Sequence, residues 1–415
     1  MDKLNETLHL ENFPETIDRE NNIRIYGQIS RENQLALLTH YIHNPHLSLD
    51  NNLKQLVREA VHEFLLEKAG EEPVSEEEIT SAAESPLQYT LFDDFFHVPF
   101  PNPTSAKRTF IDLFAGIGGI RLPFHELGYQ CVFSSEWDKY AQQTYLANFG
   151  EMPFGDITKE STKNFIPAHF DLLLAGFPCQ AFSIMGKMRG FEDIRGTMFF
   201  EVATILKKHK PKAILLENVK QLTSHDKGRT FKVILQTLKE LGYFVKWDIL
   251  NALDFGVPQK RERVIIVGFT NQNMCNAFNF DFEKRPYNLS DVLEEDEKID
   301  SSLQASDFIL KKRIDKTIGK NIFYPSVWHE NKSGNISILD HACALRAGSS
   351  YNYLLINGTR RPSSRELLRF QGFPDSYRVV VSHTEIRRQT GNSVAVPMIR
   401  AVAKKIDYIL ENIKE

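Results

Sequence analysis

The pattern of apolar and polar positions changes character twice along the chain. From Arg108 onward, short apolar runs alternate with amphipathic stretches. TFIDLF, CVFSSE, FDLLLAG, AILLEN and ERVIIVGF read as strands. RLPFHELG, DKYAQQTYLANF, TMFFEVATILKKHK and RTFKVILQTLKELG read as helices between them. Strands that are apolar throughout must be covered on both faces, so the alternation predicts an α/β fold built on a doubly wound sheet. YFVKWDIL adds a strand directly before the last one and is read as antiparallel. After Phe269 the alternation stops. Residues 271–357 are irregular, with the acidic patch DVLEEDEKID and the basic patch KKRIDK, and are expected to form a smaller inserted domain. VPMIRAVAKKIDYILENI then returns as a helix of the main domain, within a last segment at 358–415.

Before Arg108 the pattern is different. In Asn52–Ala69, apolar residues recur at helical spacing, with Gly70 as a C-cap. Ser75-Glu76-Glu77-Glu78 matches a capping box, and Pro86 stops the helix it opens. The Phe- and Pro-rich stretch that follows reads as a linker pressed onto a neighbouring surface. Residues 1–107 are therefore expected to be a helical extension, and 108–270 the main domain.

Composition narrows the class. The 415 residues are 42% hydrophobic and 25% charged, an ordinary globular balance that excludes a disordered tail, a fibre or a disulfide scaffold. No run approaches the ~18 apolar residues of a membrane span. The first twenty residues have no apolar core, so a secretory signal is not expected and the chain is expected in the cytoplasm. Four cysteines lie far apart with no CxxC pair, so no metal site is expected. The net charge of -4 hides a split. Residues 1–107 carry 8 Lys+Arg against 19 Asp+Glu, and residues 108–415 carry 42 against 35. An acidic extension is joined to a body that is basic enough to meet a polyanion.

The candidate chemistry lies at strand ends. Phe114-Ala115-Gly116-Ile117-Gly118-Gly119 is a small-residue turn between a strand and a helix, where a ligand can approach the backbone. A dinucleotide fingerprint would need glycine at 121, which is Arg121, so nicotinamide and flavin are disfavoured. Glu136 ends the next strand and could hold a ribose. Asp156, in GDIT, is expected to end a third strand beside it and to accept from an adenine amino group. The three together describe an adenosine-containing cofactor. Cys179 follows a Gly and a Pro at another strand end, where a thiolate can act as nucleophile. The Gly-containing segment after it suits a closing loop. Glu217-Asn218 ends the next strand. Alternation places Gln259, Arg261 and Arg263 on one face of a further strand.

These segments, in this order, resemble the DNA (cytosine-5) methyltransferase family, of the bacterial restriction-modification type. FIDLFAGIGGIR, EWDKYAQQTYLANFG, GDIT, GFPCQAFS, ENVK, DFGVPQKRERV, RPSSRELLRFQGFPDSY and GNSVAVPMI match its successive blocks over 108–270 and 358–415. The resemblance implies a Rossmann-like methyltransferase domain that uses S-adenosyl-L-methionine, with 271–357 as the target-recognition region. It implies that Cys179 attacks carbon 6 of a flipped cytosine, that Glu217, Asn218, Arg261 and Arg263 hold and polarise the base, and that carbon 5 receives the methyl group. Phe114, Gly116, Gly118, Gly119, Ile120, Glu136, Trp137, Asp156, Ile157, Pro178, Asn392 and Ser393 match cofactor-contacting positions. For Phe114 and Trp137 core packing is the rival role, while Asn392-Ser393 is also expected to N-cap the last helix, a role that can coexist with cofactor contact. Gln180, Ser183, Arg195, Arg346, Gly348 and Ser349 are candidates for DNA contact. The expected partners are double-stranded DNA and a cognate restriction endonuclease, and a monomer is expected. Two rivals stay open: the family's RNA branch, and a DNA-binding homologue with a spent site. The long insertion and the intact Cys179, Glu217 and Arg263 weigh against them.

Overall fold

The computed structural model describes residues 31–44, 97–103, 105–178 and 198–413. Cys179, Gln180, Ser183 and Arg195 lie outside the described residues, as do the expected helices at 52–69 and 75–85.

Helix α1 spans Arg31–His43. The main domain then runs β1 (Thr109–Leu113), α2 (Arg121–Glu126), β2 (Gln130–Ser135), α3 (Lys139–Phe149), α4 (Glu160–Lys163), β3 (Leu172–Gly176), α5 (Met198–His209), β4 (Ala213–Val219), α6 (Arg229–Glu240), β5 (Phe244–Asn251), β6 (Gln259–Lys260) and β7 (Glu262–Phe269). The six-stranded sheet has the order β2-β1-β3-β4-β7-β5. β1 to β4 are mutually parallel, and β7 runs against both β4 and β5. The reversed strand is therefore β7, not the YFVKWDIL strand, which points the same way as β4. Helix α6 crosses back over the sheet, and β7 then slots in between β4 and β5. The strands are apolar because helices cover both faces of the sheet, in two clusters of buried side chains.

Further on come α7 (Gln272–Ala277), α8 (Asp307–Asp315), β8 (Val327–Glu330), β9 (Ile336–Leu339), β10 (Ala342–Cys343), β11 (Leu354–Ile356), α9 (Ser364–Arg369), α10 (His383–Asn392) and α11 (Val396–Asn412). β11, β8 and β9 form an antiparallel sheet, and β10 pairs with β6 in parallel. Residues 271–357 thus carry a small sheet of their own, and the two-residue pairing of β10 with β6 ties them to the main domain.

Three local expectations need correction. GDIT does not end a third strand: the chain there makes one bridge, Ser135 to Phe154, before turning away. Gln259–Arg263 is not one strand, because pairing changes partner at Arg261 and the alternation does not run through it. Asn392 and Ser393 do not cap the last helix. Asn392 ends α10 and Ser393 is its C-cap, while Ala395 is the N-cap of α11 and has no side-chain cap bond.

Helix α1 precedes the main domain yet packs into it. His43 O accepts from Gln130 Nε2 at 2.9 Å, and Asn44 Nδ2 donates to Cys131 O at 3.2 Å. His40 Nε2 accepts from Ser134 N at 3.1 Å. The unpaired edge of β2 is thereby covered, as an exposed strand edge requires. No helix among the described residues is long and apolar enough to cross a membrane.

Candidate active site

The turn after β1 carries the backbone geometry a ligand cradle needs. Phe114, Gly116 and Gly118 all have positive φ, at 54°, 54° and 77°. Phe114 is not glycine, so this conformation is strained, and strain of that kind collects at ligand clamps. The glycines differ in what their missing side chains make room for. A Cβ on Gly118 would lie 2.3 Å from the Phe149 ring, and one on Gly119 would lie 2.7 Å from Ser393 Oγ. These two admit protein. A Cβ on Gly116 would meet nothing within 4 Å, so only here does the turn face open space.

Glu136 leaves β2 beside that space. Its Oε2 accepts from Gly116 N at 2.8 Å and its Oε1 from Asp138 N at 2.8 Å. Burial pushes its carboxyl up, and these backbone donors pull it back. Each oxygen retains a lone pair for a hydroxyl donor. Gln142, which the sequence pattern did not single out, fixes this residue by donating to Glu136 O at 2.6 Å. Its only signal was an amide on a helix face otherwise rich in buried residues. Glu136 N donates to Phe154 O at 2.8 Å, which sets the Gly155-Asp156 turn alongside. Asp156 Oδ1 accepts from Thr158 N at 2.9 Å, and Ile157 is buried below. Asn33 of α1 holds the same turn, through Gly155 N to Oδ1 at 3.1 Å.

Trp137 is 82% exposed, so core packing is not its role. Phe114 packs against the core, and Ile120 is buried. Pro178 and Asn392 are exposed. The open face at Gly116, a buried ribose-compatible acid and an exposed indole fit an adenosine-bearing cofactor.

The second half of the site lies at the ends of β3, β4 and β7. Gly176 pairs with Glu217, and Val219 with Arg263. A Cβ on Gly176 would lie 3.4 Å from Glu217 Oε2, so the glycine makes room for this carboxylate. Glu217 is 8% exposed, and Arg263 Nε lies 2.9 Å from its Oε1. Burial raises the carboxyl above its ordinary range, while Arg263 and then Arg261 pull it down. Asn218 Nδ2 donates to Phe177 O at 2.7 Å, and its Oδ1 accepts from Val219 N at 2.8 Å. It staples the exit of β3, two residues before Cys179, to the end of β4.

Arg261 does something else. Its side chain is 1% exposed. It donates to Leu345 O and Gly391 O, both at 3.0 Å, and to Ser393 O. These donors are committed to backbone carbonyls, so the expectation that Arg261 touches a base is replaced by a positioning role. Gln259 likewise turns inward, donating to Phe370 O and accepting from Leu345 N at 3.0 Å. Arg346 and Gly348 are exposed, and Ser349 is half-buried in the same turn.

The fold and site define a mixed α/β transferase domain, with an adenosine-type cradle beside an acid-and-arginine pocket. Comparison with known proteins gives the family. Residues 108–408 match the model of the C-5 cytosine-specific DNA methylases. The type II methyltransferase M.NgoBI of Neisseria gonorrhoeae is 55% identical over 295 residues, covering 71% of this chain and 91% of that protein. M.HaeII of Haemophilus aegyptius, also a type II methyltransferase, is 55% identical over 296 residues, with the same coverage. The solved methyltransferase EhMeth of Entamoeba histolytica superposes with a TM-score of 0.55 at 17% identity, covering 75% of this chain and all of that one, and shares the fold. The chain belongs to the C-5 cytosine-specific DNA methylase family and is a DNA (cytosine-5) methyltransferase.

Proposed function

We propose that the enzyme methylates a cytosine flipped out of a specific duplex site, through a covalent adduct on Cys179. The observation that carries this reading is the Arg263-Glu217 pair, facing the strand exit that leads to Cys179. Cytosine carbon 5 is a poor nucleophile. Addition of the Cys179 thiolate to carbon 6 moves electron density onto carbon 5 and ring nitrogen 3. Glu217, its carboxyl raised by burial, holds or protonates that nitrogen, and Arg263 fixes the carboxylate while offsetting the developing charge. Asn218 fixes the backbone at Phe177, two residues before Cys179. Phe114, Gly116, Glu136, Trp137, Asp156 and Ile157 would hold S-adenosyl-L-methionine, with Gly118, Gly119, Ile120, Pro178, Asn392 and Ser393 around them, and the bound cofactor would supply the methyl group. After transfer, loss of the carbon 5 proton to a base and departure of the Cys179 thiolate restore the ring and the enzyme.

Gln180, Ser183 and Arg195 would follow the DNA strand, and Arg346, Gly348 and Ser349 would meet it from the recognition region. The type II names of the relatives support pairing with a cognate restriction endonuclease. The enzyme is taken to act as a cytoplasmic monomer. Duplex DNA carrying 5-fluorocytosine at the target should trap a covalent complex when the cofactor is added, because fluorine cannot leave as a proton. The Cys179→Ala variant should form no such complex and transfer no methyl group. Normal methylation by that variant would overturn the mechanism.

A further inference from the structure

Where the recognition region meets α10, three arginines gather with no carboxylate paired to them among the described residues. A small solvent-open cleft lies between the turn at 345–354 and helix α10, and Arg346, Tyr351, Tyr353, Arg361, His383 and Arg387 line it. The guanidinium carbons of Arg361 and Arg387 lie 4.3 Å and 4.4 Å from the centre of the Tyr351 ring. That of Arg346 lies 5.0 Å from the Tyr353 ring. Aromatic faces hold guanidinium groups flat and leave their N–H edges for a ligand. Burial lowers the pKa of Arg387, with Arg361 adding to it, and burial followed by both arginines lowers that of His383.

Among the described residues, none of these three arginines pairs with a carboxylate. Arg361 spends most of its donors on Asn352 Oδ1 and the carbonyls of 302–304. Arg387 makes only long contacts, at 3.3 Å and 3.4 Å, to the carbonyls of Ser350 and Ser349. The guanidinium of the exposed Arg346 makes no hydrogen bond among the described residues. Like charges held this close repel unless an anion joins them.

The two walls are fixed with care. Arg261 binds Leu345 O on one wall and Gly391 O on the other. A Cβ on Gly391 would lie 2.2 Å from Ala347 N, so the walls touch backbone to backbone. An anion seated between them would therefore sit at the joint of the recognition region and the catalytic domain.

We propose that Arg346 and Arg387, set on Tyr353 and Tyr351 beside Arg361, form a phosphodiester clamp that grips the DNA backbone. The clamp rests on the reading of duplex DNA as substrate. Its arginines position the duplex and read no base.

The test uses the full chain and a fluorescent duplex, with affinity measured by anisotropy over a salt series. Each phosphate contact contributes about 0.9 to the slope of log affinity against log salt. The double variant Arg346→Gln with Arg387→Gln should lower the slope by about 1.8 relative to wild type. Arg387→Lys keeps the charge and should keep the wild-type slope. Arg400→Gln, on an arginine already paired with Glu126, should also leave it unchanged. A wild-type slope in the double variant, with thermal melting unaltered, overturns the clamp. So does a slope loss confined to single-stranded RNA. Wild-type methyl transfer to duplex DNA is scored in parallel. Its absence would strike the substrate reading, whereas its presence with unchanged slopes strikes the clamp alone.

Discussion

Two regions of the molecule each bury an arginine completely, and they treat its charge in opposite ways. Arg121, at the start of α2, forms an ion pair with Glu151, and both side chains are fully buried. Tyr145 OH and Asn102 Oδ1 take further donors at 3.0 Å and 3.1 Å. The Phe149 and Tyr145 rings flank it at 4.3 Å and 5.0 Å. Glu151 raises its pKa against the desolvation of burial, and the cation is neutralised where it stands. Arg261 has no such carboxylate. Burial lowers its pKa to about 9, Arg263 adds to the lowering, and backbone carbonyls alone receive it. It is still charged at neutral pH, and its field reaches Glu217. A locally neutralised buried charge can be replaced by apolar packing with little loss, whereas one held only by carbonyls beside a second buried carboxylate is a candidate for function. The first region reads as architecture and the second as part of the machinery.

Removing one partner from the Arg121 pair should produce the largest effect. Glu151→Gln leaves a buried guanidinium without its counter-charge and should lower the unfolding free energy by about 3–5 kcal/mol. Urea melts measure this. Methylation per folded molecule should change little, because Glu151 touches neither the cradle nor the pocket. A variant of wild-type stability, or one that is stable but inactive, would break the distinction between the regions.

Arg261→Met should show the reverse. Losing the donor leaves carbonyls on both walls of the cleft unsatisfied and removes a cation that acts on Glu217. A fall in kcat/KM of about 100-fold, near 3 kcal/mol, is expected at 25 °C. Stability should fall less than in Glu151→Gln, since a desolvated charge disappears along with its bonds. The pH dependence of kcat should also shift upward, because Arg261 is one of the groups that lower the Glu217 pKa. A merely structural loss would leave that profile in place.

The contrast between these arginines marks what the sequence made legible. The strands stood out as apolar runs, because a sheet covered on both faces has no polar side to write into the pattern. Glu217 was legible from its place at a strand end, whereas Arg263 came from an alternation that breaks at Arg261. The role of Arg261 was not legible, since its partners lie 84, 130 and 132 residues further along, and the strand it was read into is broken at that very residue. Arg121 stood out only as a missing glycine. Helix α1 carried no stripe, because Ala36, Leu37, Leu38 and Ile42 share burial with Asn33, Thr39 and His40. A helix packed on several sides, with its polar groups bonded inward, shows no amphipathic period.

The smallest expected effect sharpens the claim that the Arg121 region is neutral overall. That region holds one guanidinium and two carboxyls, so one carboxyl is in excess. Arg121 holds Glu151 low against its burial, while burial pushes Asp112 up to about 7, despite Arg121 and a 3.2 Å hydrogen bond from Tyr145 OH. An unfolded Asp titrates near ~3.9. Between about pH 4 and 7 the native state therefore binds more protons at Asp112 than the unfolded state does, and this group's contribution makes stability fall as pH rises through that window. Glu151 acts below it, contributing stability that is lost only as acid protonates the pair. Asp112→Asn keeps an acceptor for Tyr145 and removes the ionisation. Its stability relative to wild type should rise by at least about 1 kcal/mol between pH 4.5 and 7.5. Urea melts at three pH values across the window are enough to see it. Parallel curves for variant and wild type would mean that Asp112 ionises freely, and that the charge around Arg121 is not balanced by Glu151 alone.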